Sequence, residues 1–267
     1  MSELQNSDVR EPKVATQGSS MSSVGAAVAV AGLAATSVLG SRVARAVSPP
    51  LTFAQIPGSG DIKVLNFALA LEALEAELYA QAYLRLAGGG TSPLGTHVTG
   101  LSGAIDPRLG RFTYEFGIVE NQHRDFLINA LGSQAITNTT LKGATFNFNI
   151  NSLDQRGVLE LLLDAEATGV AAYLGAIPFF SSTKSPYVPI AVAIQGTEAR
   201  HTAIFADLEN DLYNPAVNVA PLASQNQGRD PYPSENGAGK IPNTPPGQPP
   251  LPDNVLAKVS PFIVLPQ

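Results

Sequence analysis

The sequence predicts an all-α protein: a four-helix bundle with a long crossover between its second and third helices, followed by an irregular Pro-rich tail. Three observations predict it. Four segments between residues 61 and 213 place Leu, Ala, Val and Ile at helical spacing, and each runs into Gly, Pro or Asn-Pro. The link between the second and third segments, residues 133–152, has the length that a bundle with one crossover requires. Residues 214–267 are dense in Pro and carry no apolar period, so they are expected to form a tail or wrap without a core of their own.

Taken in order, residues 1–60 precede the bundle. The first stretch is polar and mixed in charge. Ser22 to Val47 is rich in Ala, Gly and Val, with an uncharged middle of about 17 residues, a marginal length for crossing a bilayer. It ends in Val43-Ala44-Arg45-Ala46, small residues like those before a signal-peptidase cut. Export to the periplasm or extracellular space is therefore expected. The alternative is a helix that packs on the protein itself, on a partner or on a membrane, in a protein that stays in the cytoplasm.

The bundle proper is expected over residues 61–213. Asp61 to Leu86 runs without Gly or Pro until Gly88-Gly89-Gly90 stops it, and residues 88–111 read as a Gly-rich loop. Arg111 to Leu131 is the second helix, ended by Gly132. Residues 133–152 alternate weakly and read as an extended crossover. Leu153 to Ile177 is the third helix, with Asp154 near its N-cap and Pro178 at its end. Pro189 to Tyr213 is the fourth, with Pro at its N-terminal edge and Asn214-Pro215 as its stop.

Composition narrows the chemistry. Charged residues are 14% of the chain and the net charge is -6, so the basic face that binds a nucleic-acid backbone is missing. With no cysteine, disulfide frameworks, zinc fingers, iron–sulfur clusters and thiol nucleophiles are excluded. There is no Gly-x-Ser-x-Gly elbow, phosphate loop or dinucleotide fingerprint.

What remains is carboxylate and imidazole. The chain has 3 histidines, and two of them follow a glutamate by three residues: Glu120-Asn121-Gln122-His123 and Glu198-Ala199-Arg200-His201. Chance gives roughly 0.13 such pairs at this composition. Residues three apart share a helix face, so each Glu and His reach one small volume, a natural half-shell for iron, manganese or zinc.

The other two helices each put a glutamate on an apolar face. Glu72 shares its face with Leu65, Leu69, Ala76 and Tyr79, and Glu166 with Leu159, Leu163, Val170 and Tyr173. A lone ionised carboxylate there costs several kcal/mol unless paired or metal-bound. Each is followed by tyrosine seven residues later. The chain thus reads as a doubled unit, a Glu-x6-Tyr helix then a Glu-x-x-His helix, twice.

One Glu from each of two helices and Glu-x-x-His from each of the others is the ligand set of the ferritin-like di-iron carboxylate proteins. The chain resembles that superfamily over about residues 61–213. Within it, the look is that of the ferritin-like domain family that includes the plant desiccation-related proteins and many exported bacterial proteins. The segments that carry the likeness are the run from Leu65 to Tyr79, Val119 to His123, Glu166 to Ala176 and Glu198 to His201. Members often open with a twin-arginine export signal, and this chain has no Arg-Arg pair.

The resemblance implies a ferritin-like bundle whose metal ligands are Glu72, Glu120, His123, Glu166, Glu198 and His201, holding two iron or manganese ions with Glu120 and Glu198 as bridges. It implies reaction with dioxygen or peroxide, of ferroxidase or peroxide-reducing type, in oxidative or desiccation stress. Expected partners are these ions and oxidants, with a second copy of the chain or a membrane reached through the N-terminal segment. A second expectation, of another class, is a non-catalytic structural or assembly protein that uses the bundle as a scaffold and its two ends for contacts.

Other residues have plainer readings beside the functional ones. Glu75 could bind in place of Glu72, and Glu77 is expected to be solvated. Tyr79 and Tyr173 could donate hydrogen bonds to ligand carboxylates, act as redox side chains, or be core tyrosines with satisfied hydroxyls. Arg124 is either a partner of the site or a surface charge, and His97 is expected on the surface of the Gly-rich loop.

Overall fold

The first helix, α1 (Gly60–Leu86), is buried on nearly every side, from Val64 through Leu71 and again from Leu74 to Tyr79. A helix apolar all round belongs at the centre of its fold. Its 27 residues span about 40 Å. The computed structural model describes residues 50–213, 241, 243–244 and 248–266. The expectations placed on the N-terminal segment, and on most of the stretch after Tyr213, lie outside the described residues.

Three further long helices complete an all-α bundle. The second, α2 (Pro107–Leu131), starts four residues earlier than its periodicity suggests. The local reason is a cap: Asp106 accepts from the Arg108 amide, and Pro107 occupies the first turn, where its missing N–H costs nothing. Its inner face is Leu109, Thr113, Phe116, Gly117, Glu120, Leu127 and Leu131, the stripe of an amphipathic helix. The third, α3 (Gln155–Ala176), is capped by Asp154, which accepts from the Gly157 amide. The fourth, α4 (Val188–Tyr213), buries Ile194, Glu198, His201, Thr202 and Phe205 on one face. α1 packs along α2 and α3 along α4, while α1 faces α3 across the core.

The two long connections are structured. The Gly-rich loop forms an antiparallel hairpin of β1 (Gly89–Thr91) and β2 (His97–Thr99), with Val98 buried. The crossover from α2 to α3 is packed down by Ile136, Leu141, Phe146, Phe148 and Ile150. Its weak alternation is real: Phe146, Phe148 and Ile150 face in, while Asn147 and Asn149 face out. Asn66 of α1 ties the crossover down. Its amide donates to the carbonyls of Pro57 (3.2 Å) and Gln134 (3.0 Å), and its oxygen accepts from the Ile136 amide at 2.7 Å. Replacing Asn66 by Leu strands buried backbone groups, so urea unfolding should show a loss of about 2–4 kcal/mol.

The described end of the tail has no core of its own, as expected, but it is regular where an irregular segment was expected. Residues 252–264 are regular: α5 (Pro252–Val259), a 3-10 turn, and β4 (Ile263–Val264), which pairs antiparallel with β3 (Thr145–Phe146) of the crossover. Val255, Leu256 and Val259 join the core. The physical reason is a short amphipathic turn that borrows the bundle's core instead of forming its own. Gly175 of α3 makes room, since a Cβ there would stand 1.9 Å from the Pro250 carbonyl oxygen.

Candidate metal centre

Glu72, Glu120, Glu166 and Glu198 lie near the middle of α1, α2, α3 and α4, and all four are 0% exposed. Their carboxylates and the two imidazoles meet in the core as two groups that share Glu120. One is Glu72, Glu120, His123 and Glu198; the other is Glu120, Glu166 and His201. In each group the ligating atoms lie within 4.8 Å of one another. Glu198 joins only the first group, which is where the doubling seen in the sequence is imperfect.

The distances show too many acceptors for the donors present. His123 Nδ1 is 2.8 Å from Glu120 Oε2, 3.4 Å from Glu72 Oε2 and 3.6 Å from Glu198 Oε1. His201 Nδ1 is 2.9 Å from Glu120 Oε1 and 3.2 Å from Glu166 Oε1, and only the Glu166 contact has hydrogen-bond geometry. A ring nitrogen carries at most one hydrogen, so neither imidazole can satisfy the oxygens around it. Glu72 Oε2, Glu120 Oε1, Glu166 Oε2 and both oxygens of Glu198 are buried without a hydrogen-bond partner. Acceptors that converge with no donor, beside imidazole nitrogens, make the donor set of a divalent transition-metal ion.

Electrostatics agree. Burial pushes the Glu72 carboxyl up to about 7, and it holds Glu75, Glu166 and Glu198 well above the usual carboxylate range, with neighbouring carboxylates adding to the rise. Burial would also raise Glu120, but the hydrogen-bonded His123 and the neighbouring His201 imidazole outweigh it and bring that carboxyl down. Burial works against a charged His123, yet Glu120, Glu198 and Glu72 together push its imidazole up to about 12.

The tyrosines are cross-wired. Tyr79 of α1 donates to Glu166 Oε1 of α3, and Tyr173 of α3 donates to Glu72 Oε1 of α1. Glu72 opposite Tyr173 and Tyr79 opposite Glu166 is the register of antiparallel neighbours. Burial, then the charge of Glu166 beside Tyr79 and of Glu72 beside Tyr173, raises both phenols far above their ordinary value, so both keep the hydrogen they donate. Each phenol thereby fixes one carboxylate and leaves its other oxygen for the centre.

Three features escaped sequence reasoning. Phe116, one turn before Glu120 on the same face of α2, stacks on the His201 ring at 3.8 Å and holds its plane. Gly169 of α3 lets Glu198 approach, because a Cβ there would stand 2.7 Å from Glu198 Oε2. Glu77, expected in solvent, is buried and accepts from Gln81 (2.9 Å) and from Ser92 of the loop after α1, so that loop supplies the polar partner the carboxylate needs. Its helix position gave no hint of this cover. Arg124 pairs with its neighbour Asp125 at 2.7 Å instead of reaching the cluster, and His97 is exposed.

Comparison with known proteins gives one family. Neither the search of curated proteins nor that of solved structures gave a match. A family profile described as a ferritin-like domain matches residues 60–211, more than half of the chain and all but the last two residues of the span of the four long helices. With the helical bundle and the buried Glu and His cluster at its middle, that match places the chain in the ferritin-like domain family.

Proposed function

We propose that Glu72, Glu120, His123, Glu166, Glu198 and His201 hold two iron or manganese ions, and that the protein reduces dioxygen or peroxide at them. The observation that carries this reading is the set of buried, partnerless oxygens on Glu72, Glu120, Glu166 and Glu198. In a protein core such oxygens cost several kcal/mol each unless a cation or proton meets them. Glu120 lies in both groups and would serve both ions, whereas Glu198, expected as a second shared ligand, lies in the first group alone.

Bound at these residues, a pair of such ions would supply one-electron changes between divalent and trivalent states. The chain supplies the rest. Tyr79 and Tyr173 orient Glu166 and Glu72, Phe116 fixes His201, and the apolar helix faces exclude bulk water. His123, with its side chain 14% exposed, is the part of the centre nearest to solvent, and a small oxidant can reach the site there. The desiccation-related resemblance suggests oxidative or drying stress as the setting, and the Ser22 to Val47 segment suggests an exported protein; both belong to this proposal.

The experiment is oxidant turnover by the metal-loaded full chain. Fe(II) oxidation under dioxygen, and peroxide consumption, should each be followed against the metal-free protein. Rates above that background are the expected result. Metal that binds while both rates stay at background would leave a scaffold with a structural metal site.

A further inference from the structure

Glu75 lies one turn beyond Glu72 on α1. It is 4% exposed, and among the described residues it makes no hydrogen bond or ion pair. It lines a cavity of about 20 Å3 between α1, α3 and the C-terminal segment, together with Thr168, Gly169, Asp164, Lys258 and Phe262. That volume holds about one water or one small ion.

Gly169 is the wall between this cavity and the metal centre. A Cβ on it would stand 2.7 Å from Glu198 Oε2 and 3.2 Å from Glu75 Oε1, so the two carboxylates flank the same point. The other oxygen of Glu198, Oε1, is 3.6 Å from His123 Nδ1 in the centre. Glu198 does not itself line the cavity, but it has one oxygen beside His123 of the centre and the other beside Gly169 of the cavity wall. Also in the lining, Lys258 Nζ sits 2.8 Å from Asp164 Oδ1, and its side chain is only 6% exposed. A tethered ammonium thus stands among the acidic groups that line this cavity.

We propose that Glu75 and Glu198 Oε2 form an auxiliary cation position that passes a divalent transition-metal ion between this cavity and the centre, with Lys258 closing the outer end. The proposal rests on the reading of the centre as a metal site. Two carboxylates without an imidazole attract such an ion but hold it less firmly than the mixed nitrogen and oxygen shell beside it, which suits transit over residence. Asp164 exchanges the Lys258 ammonium for the incoming ion. Apart from Asp164, Lys258 and Thr168 the rest of the lining is apolar, so the Glu75 carboxyl, on giving up its proton to the incoming ion, is the group on the Gly169 side that makes the passage favourable.

The test is the rate at which the full chain, stripped of metal by a chelator, takes up Co(II), followed by its visible absorption and by metal counted per chain at the end point. Glu75→Gln should load about tenfold more slowly and reach the same end point as the unsubstituted protein. Lys258→Met should load faster. An unchanged rate in Glu75→Gln overturns the proposal, and so does an end point one ion below that of the unsubstituted protein, which would make Glu75 a ligand of the centre itself. Unchanged rates in both variants would place entry elsewhere, the His123 side being the other approach. No uptake by the unsubstituted chain sinks the metal reading as well, whereas an unchanged Glu75→Gln rate sinks this proposal alone.

Discussion

Replacing Glu166 or His201 by Ala should abolish stoichiometric binding at one or both metal positions. Both residues belong to the three-residue group completed by Glu120, so either change leaves two protein ligands there. Loss of an outer partner of a metal ligand typically costs 10–100-fold in affinity, and loss of a ligand itself costs more. The two variants differ in what they leave behind. Without Glu166, Tyr79 loses its acceptor and His201 its hydrogen-bonded neighbour. Without His201, Phe116 loses the ring it stacks on and Glu120 loses one of the imidazoles that keep it ionised. Metal counted per chain after gel filtration checks both. Full occupancy in both variants would contradict the ligand assignment.

The second large effect is a fall in stability with rising pH that bound metal should weaken or reverse. In the metal-free chain the carboxyls of Glu72, Glu75, Glu166 and Glu198 and the His123 imidazole all have folded pKa values above their unfolded ones. Groups of that kind stabilise fully below the unfolded pKa and lose that contribution as pH rises through the folded one. For Glu72 the window runs from its ordinary 4.5 to about 7, a loss of about 3 kcal/mol for that group alone. For His123 the loss begins at its ordinary 6.5 and continues toward 12. Glu120, with its lowered pKa, opposes this as a single group. The metal-free protein should therefore melt lower at pH 8 than at pH 5. Metal requires the deprotonated ligands, so its binding strengthens over the same range and the loaded protein should show the smaller fall or a rise. Thermal melts of both forms across that range check it, and a metal-free chain that gains stability toward pH 8 would contradict the account.

The bundle was legible because its signals are local. Helical period, Gly and Pro stops and the Asp154 cap each act within a few residues, and they locate α1, α3 and α4 nearly to the residue. The start of α2 was readable too, in Asp106-Pro107, but the glycines of the preceding loop masked it. The convergence of Glu72, Glu120, His123, Glu166, Glu198 and His201 was legible because two Glu-x-x-His pairs and two glutamates on apolar faces leave few other places for so much buried charge. What stayed hidden depends on contacts between distant parts of the chain. The cover over Glu77 comes from a loop, the partner of Tyr79 is 87 residues away, and α5 is stable only where α3 and the crossover receive it. The space beside Gly169, where one missing Cβ lets Glu198 and Glu75 approach, has no signature in a single sequence.

A pair of metal ions at Glu72, Glu120, His123, Glu166, Glu198 and His201 is what the proposed function of this ferritin-like bundle requires. Elemental analysis of the purified native protein, with metal counted per chain, tests it most directly. About two iron or manganese ions per chain is the expected result. No transition metal in the native protein, and none taken up by the apoprotein, would contradict it.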